Sequence, residues 1–468
     1  MTIAELRQKF IEGTYTPIDA LKRVRLVIDE KDSDIHAYLR TYDDAEAEAI
    51  YATKRYEAEG SAAPPLLGMP FAIKDNILIK GKPATAGSKM LENYVATYDA
   101  TVIERLKEAG AIFVGATNMD EFAMGSSTES SAFGPTKNPL DSTRVPGGSS
   151  GGSAAALAMG ACVAALGTDT GGSVRQPASF CGVVGFKPTY GAVSRNGLIA
   201  MGSSLDQAGI FAHTVADTET IFNVIKGQDP FDATTVREDT YPEVPRKEMY
   251  RIGVPRDFLR EGMDEDVCKV FDANIEKIIA AGHEVVDISL PMMERGLAAY
   301  YIVMPAEVSS NLARYDGVRY GLHIDGQNIL EDYLKTRAEG FGTEVKRRIL
   351  LGTYVLSAGY YDAYYGKAEQ VRQMMRDELA GVFQNVDLIM TPTSPVPAFT
   401  LGEKSDPLSM YLADIYTVPV NLAGVPAISI PGGTVDRDGA TLPVGVQFIA
   451  PHAGDARLFD FGTKVYDA

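Results

Sequence analysis

A chain of 468 residues with 45% hydrophobic and 23% charged content has the make-up of a well-cored globular protein, not of a disordered one. Its 44 basic residues face 62 acidic ones, and the resulting net charge of −18 argues against direct binding of nucleic-acid phosphates by this chain alone. Three scattered cysteines (Cys162, Cys181 and Cys268) with no CxxC spacing exclude a disulfide framework or a cysteine-built zinc site and fit a reducing compartment.

The first sixty residues read as helices. Thr2 with Glu5 forms one capping box, and Thr16-Pro17 with Asp19 starts a second helix with proline at its first position. A third helix is expected from Asp43 to Glu59, ending at Gly60. MTIAELRQKFIEG holds no apolar secretory core, so a cytoplasmic location is expected. MPFAIKDNILI then reads as a buried strand. Asp99 is placed to cap TVIERLKEAG, which ends on Gly110 and feeds the strand AIFVGAT.

The same syntax returns at 265–289, and further apolar runs at 252–254, 386–390, 426–430 and 443–449 read as strands of one sheet. Helices alternating with apolar strands predict an α/β fold, its sheet covered by helices on both faces. One domain over 1–468 is expected, with a helical region at 1–60, a core at 66–220 and a second helical region at 290–385. Segments 227–250 and 432–441 are expected to be mobile.

Within the 66–220 core lies PGGSSGGS (146–153), separated from DTGGS (169–173) by a run of small apolar residues. That run, Ala154 to Leu166, reads as a buried uncharged helix capped by Ser153 and ended by Gly167, which excludes a flexible linker. Its 14 residues to Gly167 also fall short of the ~18 needed to span a bilayer. A phosphate cradle lacks the lysine of a P-loop. Gly147-Gly148-Ser149-Ser150-Gly151 formally matches a nucleophile elbow, but the preceding KNPLDSTRVP reads as loop where that motif needs a strand.

None of the five histidines stands in a context that marks a base. Lys74, closing the run PFAI, is the alternative: a desolvated lysine sheds its proton more easily and can act as a general base. At Thr170-Gly171-Gly172-Ser173, two glycines permit successive N–H groups to face one concavity beside the serine, as in an oxyanion hole.

PGGSSGGSAAALA, LGTDTGGSVRQPASFCGVVGFKPTYG and FAIKDNI together resemble the amidase signature family. The resemblance implies a central mixed sheet wrapped in helices and a Ser–Ser–Lys triad. Ser173 would be the acylated nucleophile, Ser149 a bridging serine after a cis peptide, and Lys74 the base. The oxyanion hole would be the backbone N–H groups of Thr170, Gly171, Gly172 and Ser173.

Segments such as MDEFAMGSSTESSAFGPTKNP, AEVSSNLARYDGVRYG and TVPVNLAGVPAISIP are similar to one branch of that family, the glutaminase subunits of tRNA-dependent amidotransferases. This implies glutamine as substrate and two partners, the B and C subunits, in a heterotrimer. Charged tRNA would be handled by the B subunit, with ATP and Mg²⁺ bound there and no cofactor in this chain. Arg348 (or its neighbour Arg347) would hold the substrate carboxylate and Asp414 its ammonium, with Tyr300 or Tyr301 lining the pocket. A free-standing amidase and a catalytically inactive scaffold are the competing readings.

Overall fold

The computed structural model describes residues 1–237, 241, 246–259, 262–404 and 406–467. Runs of apolar and β-branched residues between turn formers become the strands β1 (Tyr38–Thr41), β2 (Pro70–Lys74), β3 (Ile112–Thr117), β4 (Ala164–Asp169), β5 (Val184–Lys187), β6 (Gln207–Ala212), β7 (Arg251–Val254), β8 (Glu284–Asp287), β9 (Leu388–Pro392), β10 (Ala427–Arg437) and β11 (Ala440–Ile449). All lie in one sheet of order β1-β3-β2-β4-β6-β5-β10-β11-β9-β7-β8. It is mixed: β3, β2 and β4 run parallel, as do β9, β7 and β8, and antiparallel pairs join the two blocks.

Successive side chains of a strand point to opposite faces, and here both faces are dry. Phe71 and Ile73 of β2 join a cluster with Leu6, Val102 and Phe459, whereas Ala72 between them joins one with Val24, Ala49 and Ala155. The sheet is therefore covered by helices on both sides, as expected. A third cluster, with Met124, Tyr300, Met304, Val345 and Leu422, builds a helical body around the helices Gly296–Asn311 and Thr343–Val355. No helix among the described residues is long and apolar enough to cross a membrane.

Both predicted capping boxes form, Thr2 with Glu5 and Thr16 with Asp19. Five expectations fail. The helix expected over Ala154–Leu166 is shorter and starts earlier, at Gly151–Ala158, and the rest of the run turns at Gly160 (φ 82) into β4. Ser153 is therefore no cap: its hydroxyl donates to Leu166 O at 2.9 Å and pairs with Thr117 Oγ1 at 2.7 Å, tying helix to sheet. Gly167, expected to end the helix, lies inside β4, where a Cβ would meet Phe211 at 2.7 Å.

Asp99 does not cap Thr101–Glu108, whose N-cap is Ala100; its carboxylate accepts from Lys80 N and Lys107 Nζ instead. Residues 432–441, expected to be mobile, are the tip of the β10–β11 hairpin, turning on Asp438 (φ 54) and Gly439 (φ 85) with Arg437 paired to Ala440. Of the other such segment, 238–240 and 242–245 lie outside the described residues.

Candidate active site

Lys74 is the last residue of β2 and Asp169 the last of β4, its parallel neighbour. Both side chains thus sit at the carboxyl edge of the sheet, where open α/β folds bind ligands. Lys74 is 0% exposed. Its Nζ lies 2.8 Å from Ser149 Oγ, 2.8 Å from Ser150 Oγ and 3.0 Å from Thr168 Oγ1. Burial pushes its pKa down to about 7, against the pull of Asp120, Asp169 and Asp206, none of which pairs with it directly.

Ser149 follows a cis peptide bond from Gly148 and directly precedes the helix Gly151–Ala158 with Ser150. Neighbouring side chains hold this loop: Gly148 N donates to Gln176 Oε1 at 3.0 Å, Gly151 N to Thr128 Oγ1 at 3.1 Å, and Thr128 Oγ1 to Gly147 O at 2.8 Å. Ser173 belongs to the same knot, because its carbonyl accepts from Ser150 N at 3.2 Å.

The 170–174 turn is built on Asp169, whose carboxylate is fully buried against Arg175 (2.9 Å). Burial pushes that carboxyl up, but Arg175, Lys187 and Asn421 hold it down at about 2. It accepts from Gly172 N at 2.9 Å and Val174 N at 3.2 Å. Gly172 therefore departs from the expected row of N–H groups, since its donor is spent inside the turn. The N–H groups of Thr170, Gly171 and Ser173 make no hydrogen bond among the described residues. Thr170 Oγ1 donates to Asp206 Oδ1 at 2.7 Å, and Gly171 O accepts from Thr417 Oγ1 at 2.7 Å, so both sides of the turn are pinned.

The remaining expected residues come from distant chain segments and gather in the helical body. Tyr300 packs on the turn so closely that a Cβ on Gly171 would lie 2.8 Å from its hydroxyl. Tyr301 instead stacks on Tyr411 with ring centroids 3.8 Å apart, and the Arg348 guanidinium lies 5.6 Å from each of these rings. Arg348 is buried and bonded to Glu344 at 2.7 Å, while Arg347 points to solvent. Asp414 receives the Ser126 hydroxyl on Oδ2; its Oδ1 is buried without a partner. Burial raises its pKa to about 7.

The partners Ser150, Thr168, Gln176 and Ser126, and the Asp169–Arg175 pair, escaped the sequence reading. Only the last had a local signal, an acid and an arginine flanking Thr-Gly-Gly-Ser. Among the described residues no cluster of His, Cys, Asp or Glu could hold a metal ion.

Comparison with known proteins adds a frame to this geometry. The Amidase family profile matches residues 21–459. Over 466 residues the chain is 51% identical to the A subunit of glutamyl-tRNA(Gln) amidotransferase from Prochlorococcus marinus, covering 98% of this chain and 95% of that one. Among solved structures, the A subunit of glutamyl-tRNA(Gln) amidotransferase from Thermotoga maritima superposes with a TM-score of 0.76 at 42% identity, covering 98% and 93% of the two chains. A crystal structure of an amidase superposes with a TM-score of 0.84 at 30% identity, covering 100% and 99%.

Proposed function

This chain belongs to the amidase family, and from that premise we propose that it hydrolyses glutamine as the glutaminase subunit of a tRNA-dependent amidotransferase. The observation that carries the amide chemistry is the Lys74 amine, pushed to a pKa of about 7 and 2.8 Å from Ser149 Oγ. An uncharged amine has a lone pair for the serine proton, so no histidine is required.

In this mechanism Ser173 Oγ attacks the side-chain amide carbon of glutamine. Its proton passes to Ser149, and the Ser149 proton passes to Lys74. The oxyanion is met by the free N–H groups of Thr170, Gly171 and Ser173. As the C–N bond breaks, Lys74 returns the proton through Ser149 to the leaving nitrogen, and ammonia departs. Water then hydrolyses the Ser173 ester, with the same relay accepting its proton, to give glutamate.

A glutamine substrate is a zwitterion. The buried Arg348 suits its carboxylate, and the unpartnered Asp414 Oδ1 suits its ammonium. Tyr300 packs on Gly171 of the turn and edge-on against Tyr301. The ammonia would serve a partner, the B subunit, that amidates Glu-tRNA(Gln), and any service to Asp-tRNA(Asn) would rest with that partner too. The B subunit would supply ATP and Mg²⁺, with a small C subunit completing a cytoplasmic heterotrimer. The net charge of −18 agrees with tRNA being held elsewhere in the complex.

The test is a glutaminase and transamidation assay of the chain with and without candidate partners and charged tRNA. Ser173→Ala is expected to abolish glutamine-dependent transamidation while sparing the ammonia-dependent reaction. Hydrolysis of unrelated amides by the lone chain, with no glutaminase activity even beside its partners, would replace this reading by a free-standing amidase.

A further inference from the structure

A cavity of about 570 Å³, within the range of small-molecule sites, is lined by none of the residues of the amide site. It lies between the helix Lys367–Val382, the end of the helix Val418–Ala423 and the turn that follows β11. Three guanidiniums, those of Arg372, Arg376 and Arg457, line it together with the His452 imidazole, and none of its described lining residues is acidic. In a chain with 62 acidic residues, this is a local reversal of charge.

The arginines are only loosely paired with neighbouring carboxylates, through long contacts of Arg372 with Glu369 and of Arg457 with Asp387. Arg372 is buried and braced by neutral acceptors, Leu422 O at 2.9 Å and Ser204 O and Oγ at 2.8 Å, with Glu369 no nearer than 3.5 Å. Arg457 reaches Asp387 only at 3.7 Å, and its Nε is buried without a partner. Arg376, exposed on the helix Lys367–Val382, makes no side-chain hydrogen bond or ion pair among the described residues, and Glu369 and Asp377 on the same helix act on it only through space. Burial and then Arg372 lower its proton affinity, and burial lowers that of His452, with Lys187 and Arg376 acting in the same sense against Asp455.

Guanidiniums held around one concavity repel one another until a multiply charged anion joins them, and their planar forks match phosphate oxygens. The rest of the wall is mostly apolar, with the rings of Tyr190 and Phe383 beside Leu379 and Val425, and it carries one amide, Gln384. We propose that this cavity binds a phosphate monoester carrying a flat ring, the class to which nucleoside monophosphates belong. The phosphate sits among Arg372, Arg376 and Arg457, and the ring lies against Tyr190 and Phe383. This site shares no residue with the amide site and does not depend on the reading given to it.

The test is calorimetric titration of the full chain, alone and assembled with its partner subunits, using AMP as the probe, with inorganic phosphate and adenosine in separate arms. AMP is expected to bind once per chain and to weaken with rising salt, phosphate to bind more weakly, and adenosine not to bind. Arg376→Gln and Arg457→Gln are each expected to weaken AMP about tenfold or more while leaving glutamine hydrolysis unchanged. Ala380→Asp, which sets a carboxylate on the lining, is expected to do the same without removing an arginine. No AMP binding, or an affinity indifferent to all three substitutions, overturns the proposal. So does phosphate binding as tightly as AMP, or AMP binding that disappears in the assembled complex because an acidic partner segment fills the cavity.

Discussion

Asp169 and Arg175, six residues apart and both fully buried, form an ion pair around which the 170–174 turn is wound. The carboxylate takes N–H groups of the turn, while the guanidinium reaches out to Thr417 O at 3.1 Å, Gln447 Oε1 at 2.6 Å and Asn421 Oδ1 at 2.5 Å. One pair thus fixes the turn to β11 and to the helix Val418–Ala423. Because neither charge reaches water, removing one strands the other. Asp169→Asn or Arg175→Met is expected to cost about 3–5 kcal/mol in urea unfolding. Asp169→Asn combined with Arg175→Met is expected to cost less than the sum of the two single changes. Single losses below about 1 kcal/mol would show the pair to be poorly coupled to the fold.

A second prediction concerns proton uptake. Lys74 accepts a proton only when neutral, and its pKa of about 7 lies far below the ordinary 10.5. The rate is therefore expected to rise with pH through about 7 and then level off. The sign for stability is the same. Between about 7 and 10.5 the unfolded lysine holds a proton that the folded one has lost, so stability contributed by this group increases with pH over that window. Lys74→Arg keeps the hydrogen-bonding cation but cannot lose its proton, and a loss of about 10²–10⁴-fold in rate is expected. A variant retaining near-normal hydrolysis at pH 7 would remove Lys74 from the reaction.

The sequence carried much of this, and its failures have physical causes. Lys74 was legible because a charged residue closes an apolar strand, which places it at a sheet edge. β4 was not, because Ala164 to Gly167 carries neither alternation nor β-branched residues, and alanine favours helix where nothing else decides. Its strand character comes from pairing on both edges, with β2 on one side and β6 on the other. The Gly172 N–H was recoverable, since Asp followed by Gly three positions on is a turn in which the carboxylate takes the backbone donor. Asp438-Gly439 likewise carried the hairpin signal that a mobile reading overlooked. Ser126 with Asp414, 288 residues apart, had no such trace.

Asp414 titrates in the same range as Lys74, raised by burial to about 7, and a neutral carboxyl cannot pair with an ammonium. Two deprotonations then govern glutamine but only one governs an amide without an amino group. Below pH 6, log kcat/KM is expected to fall with a slope of about 2 for glutamine and about 1 for propionamide. Asp414→Asn is expected to raise KM for glutamine and to bring its slope to that of propionamide. Equal slopes for both substrates in the unaltered protein would take Asp414 out of substrate recognition.

The adjacent arginines give a sharper contrast. Arg348 is 4% exposed, lies 5.6 Å from the Tyr301 and Tyr411 rings and is held by Glu344, whereas Arg347 pairs with the same Glu344 from the solvent side. An exposed pair of that kind contributes at most about 1 kcal/mol, so Arg347→Ala is expected to change kcat/KM for glutamine by less than about fivefold. Arg348→Ala removes the cation proposed to hold the substrate carboxylate and is expected to lower it about tenfold to a hundredfold, chiefly through KM. Arg348 also braces two aromatic rings, so its removal loosens packing as well as removing charge. Propionamide separates the two effects, because it has no carboxylate to lose. If its hydrolysis falls as far as that of glutamine, Arg348 is a structural support; if it is unaffected, the guanidinium binds the carboxylate.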